Sequence, residues 1–267
     1  MEGYFDGNRK LWDGYTRIHV NSEFYNLLAF KKGENTLEPM DLEEVGEVAG
    51  KSLLHLQCHF GMTTLSWARI GAVVTGVDLS GESIRMARSL SEELKIPARF
   101  IEANIYDLPE KLDEQFDIVY TSYGVLNWLP DLKRWAQIAA GYVKPGGIFY
   151  LADYHPFSWV FADETPQLEI TYDYFYNQVL KMTTDGTYAD QEVKLEHKDS
   201  YEWQHTISEI VNSLIQAGLQ IEFLHEFPFC NYPRLPFMVK KEDGYWHLPE
   251  GIPGLPWMYS IRARKPG

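Results

Sequence analysis

The sequence predicts an α/β fold in which a mostly parallel sheet lies between two layers of helices. Three observations carry that prediction. Residues 51–80 (KSLLHLQCHFGMTTLSWARIGAVVTGVDLS) read as an apolar strand, a tight loop, a short helix and a second apolar strand that ends on an acidic residue, Asp78. Apolar runs and helical periodicity go on alternating to about residue 153, the pattern of a parallel sheet covered by helices. The chain has 267 residues, 45% of them hydrophobic, enough to bury a full α/β core as one decorated domain.

Each element has its own signal. Phe24, Leu27 and Leu28 fall at helical spacing within 21–30, and 41–48 reads as a short acidic helix ending near Gly50. After the loop, Met62, Leu65 and Ala68 recur every third residue, and Gly71 stops the helix before a buried strand at 72–77. Ser80 caps the next helix, whose buried stripe is Ile84, Ala87, Leu90 and Leu94, and Pro97 leads into a third strand at 99–102. A fourth strand at 116–121, a helix from Asp131 and a Lys-Pro-Gly-Gly turn into a fifth strand at 148–153 complete the regular part. Ile207, Ile210, Val211, Leu214 and Ile215 make the clearest amphipathic helix; strands at 219–223 and 257–264 follow.

The predicted architecture is a Rossmann-like three-layer sandwich with a C-terminal antiparallel strand. A helical cap at 1–50 precedes the main domain at 51–267, and rim insertions fall at about 157–203 and 228–256, where Tyr, Asp and Pro replace the regular pattern.

A formal net charge of −14 disfavours nonspecific binding to nucleic acid, which relies on clustered Lys and Arg. Cys58 and Cys230 are too few for a disulfide framework, and no spaced His/Cys cluster suggests a metal, which fits a reducing cytoplasm. The N-terminus lacks the basic-then-apolar order of a signal peptide, and no run approaches the roughly 20 apolar residues of a spanning helix, so no membrane partner is expected.

The first strand–loop–helix has the layout of a nucleotide pocket, with Asp78 about 20 residues past the loop, where an acidic side chain bonds ribose hydroxyls. The loop is not the dinucleotide fingerprint. Gln57, His59 and Gly61 stand where G-x-G-x-x-G needs glycines, which argues against NAD.

Four blocks taken together resemble the class I S-adenosylmethionine (SAM)-dependent methyltransferases, from about 51 to 153 with a tail to 264. They are LLHLQCHFG with GVDLS, EANIYDLP, FDIVYTSYGVLNWLPD and VKPGGIFYLAD. The resemblance implies SAM as cofactor, S-adenosylhomocysteine (SAH) as product, and cofactor contacts from Gln57, His59, Gly61, Asp78, Leu79, Asn104, Ile105 and Tyr123. Asn104 stands where such families commonly carry an acidic residue for the adenine amino group. His55, Gln57 and His59 replace the usual acidic residue and two glycines, so side chains at Gln57 or His59 are expected to touch the cofactor. His19 and Tyr25 lie in a segment that closes over the cofactor in many members; Trp12 and Tyr15 share it.

Methyl transfer from a sulfonium needs alignment and exclusion of water more than a fixed catalytic signature. A base is needed only where the acceptor must lose a proton, and His155 and Tyr123, at strand ends, are the candidates. Asp153 equally suits a brace for its loop, and His205 suits a helix cap. Tyr232, Phe237, Tyr245 and Trp246 suit a cap over an apolar or aromatic acceptor, or a satellite core under a long loop. The expected reading is a methyltransferase acting on a small-molecule acceptor. A catalytically silent SAM-binding or regulatory protein of the same fold is the main alternative, with a nicotinamide oxidoreductase behind it. The apolar content of the Pro-rich segment suits either a homodimer contact or a lid.

Overall fold

The computed structural model describes residues 2–163 and 165–267. Three helices come first: α1 (Glu2–His19), α2 (Leu27–Lys31) and α3 (Pro39–Val45). β1 (Ser52–Leu56), α4 (Met62–Arg69), β2 (Val73–Asp78), α5 (Gly81–Leu94) and β3 (Arg99–Glu102) follow, then β4 (Phe116–Ser122), α6 (Leu132–Tyr142) and β5 (Val143–Tyr154). β6 (Val179–Thr183) and β7 (Asp199–Trp203) form a separate antiparallel hairpin. After α7 (Ile207–Gln216) and β8 (Gln220–Phe227), β9 (Phe229–Cys230), β10 (Val239–Lys240) and β11 (Trp246–His247) make a small three-stranded sheet, and β12 (Met258–Arg264) ends the chain's regular structure.

The main sheet has the order β3-β2-β1-β4-β5-β12-β8. β1 to β5 are parallel, and β12 runs antiparallel between β5 and β8. The mostly parallel three-layer fold is therefore as expected. Leu53, Leu54 and Leu56 of β1 are fully buried, as a central strand covered on both faces requires. Trp135 of α6 and Ile210 and Leu214 of α7 pack on one face, while Trp67 of α4 with Ile84 and Leu90 of α5 pack on the other.

Caps fix where the helices start. Ser80, Asp131 and Thr206 each accept a backbone N–H three residues on, beginning α5, α6 and α7. The helix expected over 21–30 shrinks to α2, because Asn26 sits in the left-handed region (φ 41°) and its side chain accepts from Ala29 N. The helix expected over 41–48 is shifted to α3: Pro39 occupies the first turn, and Gly46 at φ 77° ends it.

The 18-residue α1 falls within the expected helical cap, in a stretch where the sequence pattern placed no particular helix. It lies between α5 and the β6–β7 hairpin. Asn8 donates from Nδ2 to Tyr201 O (2.7 Å) and accepts from Tyr201 N (2.8 Å), and a Cβ on Gly7 would stand 2.7 Å from the Tyr201 ring. At its other end, Thr16 and Ser83 hydroxyls meet at 2.6 Å, and Asp13 accepts from Ser80 Oγ (2.7 Å) and Glu82 N (3.1 Å).

Candidate functional site

The chain leaves the sheet at the end of β1 through residues 57–61. Gln57 (φ 58°), His59 (φ 50°) and Gly61 (φ 81°) all take the left-handed conformation, at alternate positions. Two of the three are not glycine, so the turn carries backbone strain of the kind found at binding sites. Asp78, at the end of β2, fastens it. Its carboxylate accepts from His59 N (2.7 Å) and Ser80 N (2.8 Å), and burial pushes it up to about 6 against these two bonds.

A cleft of about 2110 Å³ opens over the carboxyl ends of the strands. Gln57, His59, Gly61, Asp78, Leu79, Asn104, Ile105, Tyr123 and Tyr25 all line it, so nine of the ten expected cofactor residues share one wall system. His19, expected to touch the cofactor, is the exception and does not line the cleft. It lies behind His59, fully buried, with Nδ1 at 2.9 Å from His59 Nε2. His59 bonds Ser83 Oγ through its other nitrogen (3.0 Å), so both its ring nitrogens are taken by protein and its imidazole forms wall rather than contact point. Gln57 differs. Its Nε2 donates to Val125 O (3.0 Å), while its buried Oε1, like His55 Nε2, has no partner among the described residues. Asn104 uses one lone pair of Oδ1 on Tyr106 N (3.1 Å), leaving the second for a ligand.

Burial lowers His19 and His55 to about 3 and His59 well below the ordinary value, its neighbour His19 adding to the effect. Each therefore folds as a neutral imidazole. An unfolded chain protonates these rings below 6.5, whereas the folded one resists down to about 3 for His55, so this contribution is present above pH 6.5 and lost as pH falls. Asp78 works in the opposite sense, because its raised folded value makes stability fall as pH rises toward 6. Comparing wild type with His55→Asn isolates one ring. Chemical denaturation between pH 6.5 and 4 is expected to show the variant losing about 1.4 kcal/mol less per pH unit, and parallel curves would refute a neutral buried His55.

Beyond β4, the loop 123–126 is braced by buried Asp153, which accepts from Gly124 N, Tyr154 N (2.7 Å), Leu126 N (3.2 Å) and Val125 N (3.3 Å). His155, expected as a base, stands away from the cleft. Its Nδ1 accepts from Phe157 N (3.1 Å), and its Nε2 stands 2.9 Å from Glu226 Oε1. Side chains alternate along a strand; Tyr154 faces the cleft, and the next residue faces Tyr259. His205 bonds Leu129 O (2.8 Å) and Glu209, a local structural role. Tyr123 lines the cleft and donates to Asp41 Oδ1 (2.9 Å).

The far end of the cleft is aromatic. Tyr154, Trp159, Tyr232 and Trp246 line it, with the Tyr154 and Tyr232 rings 4.9 Å apart, whereas Trp12 and Tyr15 of α1 line the cleft near the turn, Trp12 against His59 at 5.1 Å. Phe237 and Tyr245, expected with them, pack elsewhere; Tyr245 stacks on Phe229 with ring centres 4.2 Å apart. Sequence reasoning missed Glu38, Trp159, Glu202 and Arg234 in the wall. Only Glu38 had a signal, a polar residue directly before the Pro that opens a helix; the others come from the irregular insertions.

No helix among the described residues is long and apolar enough to cross a membrane, and no three or more of their His, Cys, Asp and Glu side chains cluster as a metal site.

Residues 54–151 match the family described as a methyltransferase domain. The chain is 30% identical over 173 residues to the ubiquinone biosynthesis O-methyltransferase of Proteus mirabilis, covering 62% of this chain and 68% of that one. It is 32% identical over 149 residues to the protein of the same name from Photorhabdus laumondii, covering 55% and 58%. Among solved structures, an S-adenosylmethionine-dependent methyltransferase from Mesorhizobium loti shares the fold at a TM-score of 0.56 and 21% identity, covering 88% of this chain and 100% of that one.

Proposed function

Because the chain belongs to the class I SAM-dependent methyltransferases, we propose that it transfers a methyl group from SAM to a hydroxyl-bearing aromatic small molecule, leaving SAH. The observation that carries the reading is the fastened turn at the end of β1, with Asp78 at the end of β2 and two buried polar atoms, Gln57 Oε1 and His55 Nε2, that have no partner among the described residues, on the same cleft. These residues suit the cofactor: an amide oxygen and an imidazole nitrogen for the amino-acid end, a carboxylate for ribose hydroxyls, and Leu79 and Ile105 as apolar walls for adenine. When bound, SAM supplies a methyl group already activated by its sulfonium.

The chain's own task is to place the acceptor and keep water out. A 2110 Å³ cleft is larger than the roughly 1,000 Å³ upper range of single small-ligand pockets, so it has room for donor and acceptor together. The aromatic end suits a flat acceptor ring. α1 roofs the cleft with Trp12 and Tyr15, held by Asn8 on Tyr201 and Thr16 on Ser83. The name of the curated relatives, an O-methyltransferase of ubiquinone biosynthesis, favours oxygen as the acceptor atom. Both cysteines are free and buried, which suits a reducing cytoplasm.

The test is incubation with SAM and a panel of catechols, phenols, amines and thiols, read by mass spectrometry. A methylated catechol or phenol formed with matching SAH is expected. Methylation confined to amines or thiols would refute the oxygen acceptor, and SAH binding without any product would favour a silent binding protein.

A further inference from the structure

Asp41 is fully buried, and no lysine or arginine pairs with it among the described residues. Its Oδ1 accepts the Tyr123 hydroxyl (2.9 Å); its Oδ2 accepts the Tyr120 hydroxyl (3.0 Å) and Glu38 N (3.3 Å). Of the two tyrosines, only Tyr123 lines the cleft. A purely structural anchor for two hydroxyls and a helix cap needs an acceptor, not a charge, and a buried carboxylate without a cation is costly.

We propose that Tyr123 is the catalytic residue that takes the acceptor's proton and that Asp41, acting through it, positions its hydroxyl and receives the proton in turn. This rests on the hydroxyl-acceptor reading above. As the acceptor oxygen forms its bond to the methyl carbon, the carbon–sulfur bond breaks and its electron pair stays on sulfur. The acceptor proton passes to Tyr123 Oη while Tyr123's own proton passes to Asp41 Oδ1, leaving a neutral carboxylic acid. Glu38, which neighbours Asp41 and lines the cleft, offers the exit to solvent.

The groups facing Asp41 agree with this role. Tyr120 comes from β4, Tyr123 from the loop after it, Tyr150 from β5, Glu38 from the α3 cap and Tyr245 from the segment before β11. None is a cation. Burial raises Asp41 to about 7, its two tyrosine bonds opposing, and holds Tyr120 and Tyr123 well above 10, so these phenols keep their protons until one is exchanged.

The experiment uses catechol as acceptor with SAM, and calorimetry with SAH as control, on wild type, Asp41→Asn and Tyr123→Phe. Wild-type kcat is expected to fall as pH drops below about 7. Both variants are expected to lose about 100-fold in kcat together with that limb, while SAH affinity is kept by Asp41→Asn and changes by no more than about threefold in Tyr123→Phe, whose ring remains in the wall. 4-Nitrocatechol, far more acidic than catechol, needs less help in losing its proton, so the variants' deficit should shrink to within about threefold, a rescue that a merely structural role does not give. If Asp41→Asn fails to fold, Tyr123→Phe carries the test alone. Equal losses for both acceptors, or a persisting acid limb, would overturn the relay with the methyltransferase reading intact. No methylation of either catechol by SAH-binding protein would overturn the hydroxyl-acceptor reading and the relay together.

Discussion

Replacing Asp78 by alanine is expected to weaken SAH binding roughly 100-fold, about 2.7 kcal/mol. The carboxylate fastens His59 N and Ser80 N, at 2.7 and 2.8 Å, so its loss releases the strained turn as well as the acceptor proposed for the ribose. Hydrogen bonds to a charged group are worth about 1.5–3 kcal/mol each, which sets the scale. Calorimetry on wild type and variant, with folding checked by thermal melting, measures it. Affinity kept within about threefold would remove Asp78 from the cofactor site.

Gly61→Ala is expected to cost about 2–5 kcal/mol of stability, from two independent penalties. The backbone there is left-handed, at φ 81°. A Cβ would also lie 2.8 Å from Ala87 Cβ and from the Phe100 ring, inside the packed contact between α5 and β3. Denaturant unfolding should show a shifted midpoint with an unchanged slope. A loss under about 1 kcal/mol would mean that α5 moves away at little cost.

The central strands were legible because parallel strands covered on both faces leave unbroken apolar runs, as at Leu53, Leu54 and Leu56, and because Ser80, Asp131 and Thr206 mark the helix starts. α1 was not. Gly3, Gly7 and Gly14 blur its periodicity, and its place is fixed by distant partners, Tyr201 and Ser83, that no local pattern announces. The missing glycines of the turn read as a departure. The backbone nevertheless enters the left-handed region at Gln57 and His59, held there by Asp78 and by side-chain bonds to Val125, His19 and Ser83. Position at a strand end identified the cleft's neighbourhood, yet a one-residue offset decides the face, which separates Tyr154 from His155. Asp41 gave only the signal of an acidic helix, because its meaning depends on Tyr120 and Tyr123, some eighty residues away.

The methyl donor is expected to lie across the fastened turn and Asp78. A crystal structure of the protein with SAH tests it most directly. Ribose hydroxyls within hydrogen-bond distance of Asp78, adenine between Leu79 and Ile105, and the amino-acid end over Gln57 are expected. SAH bound at another place in the cleft, or Gln57 and His59 closing the turn against it, would contradict this placement.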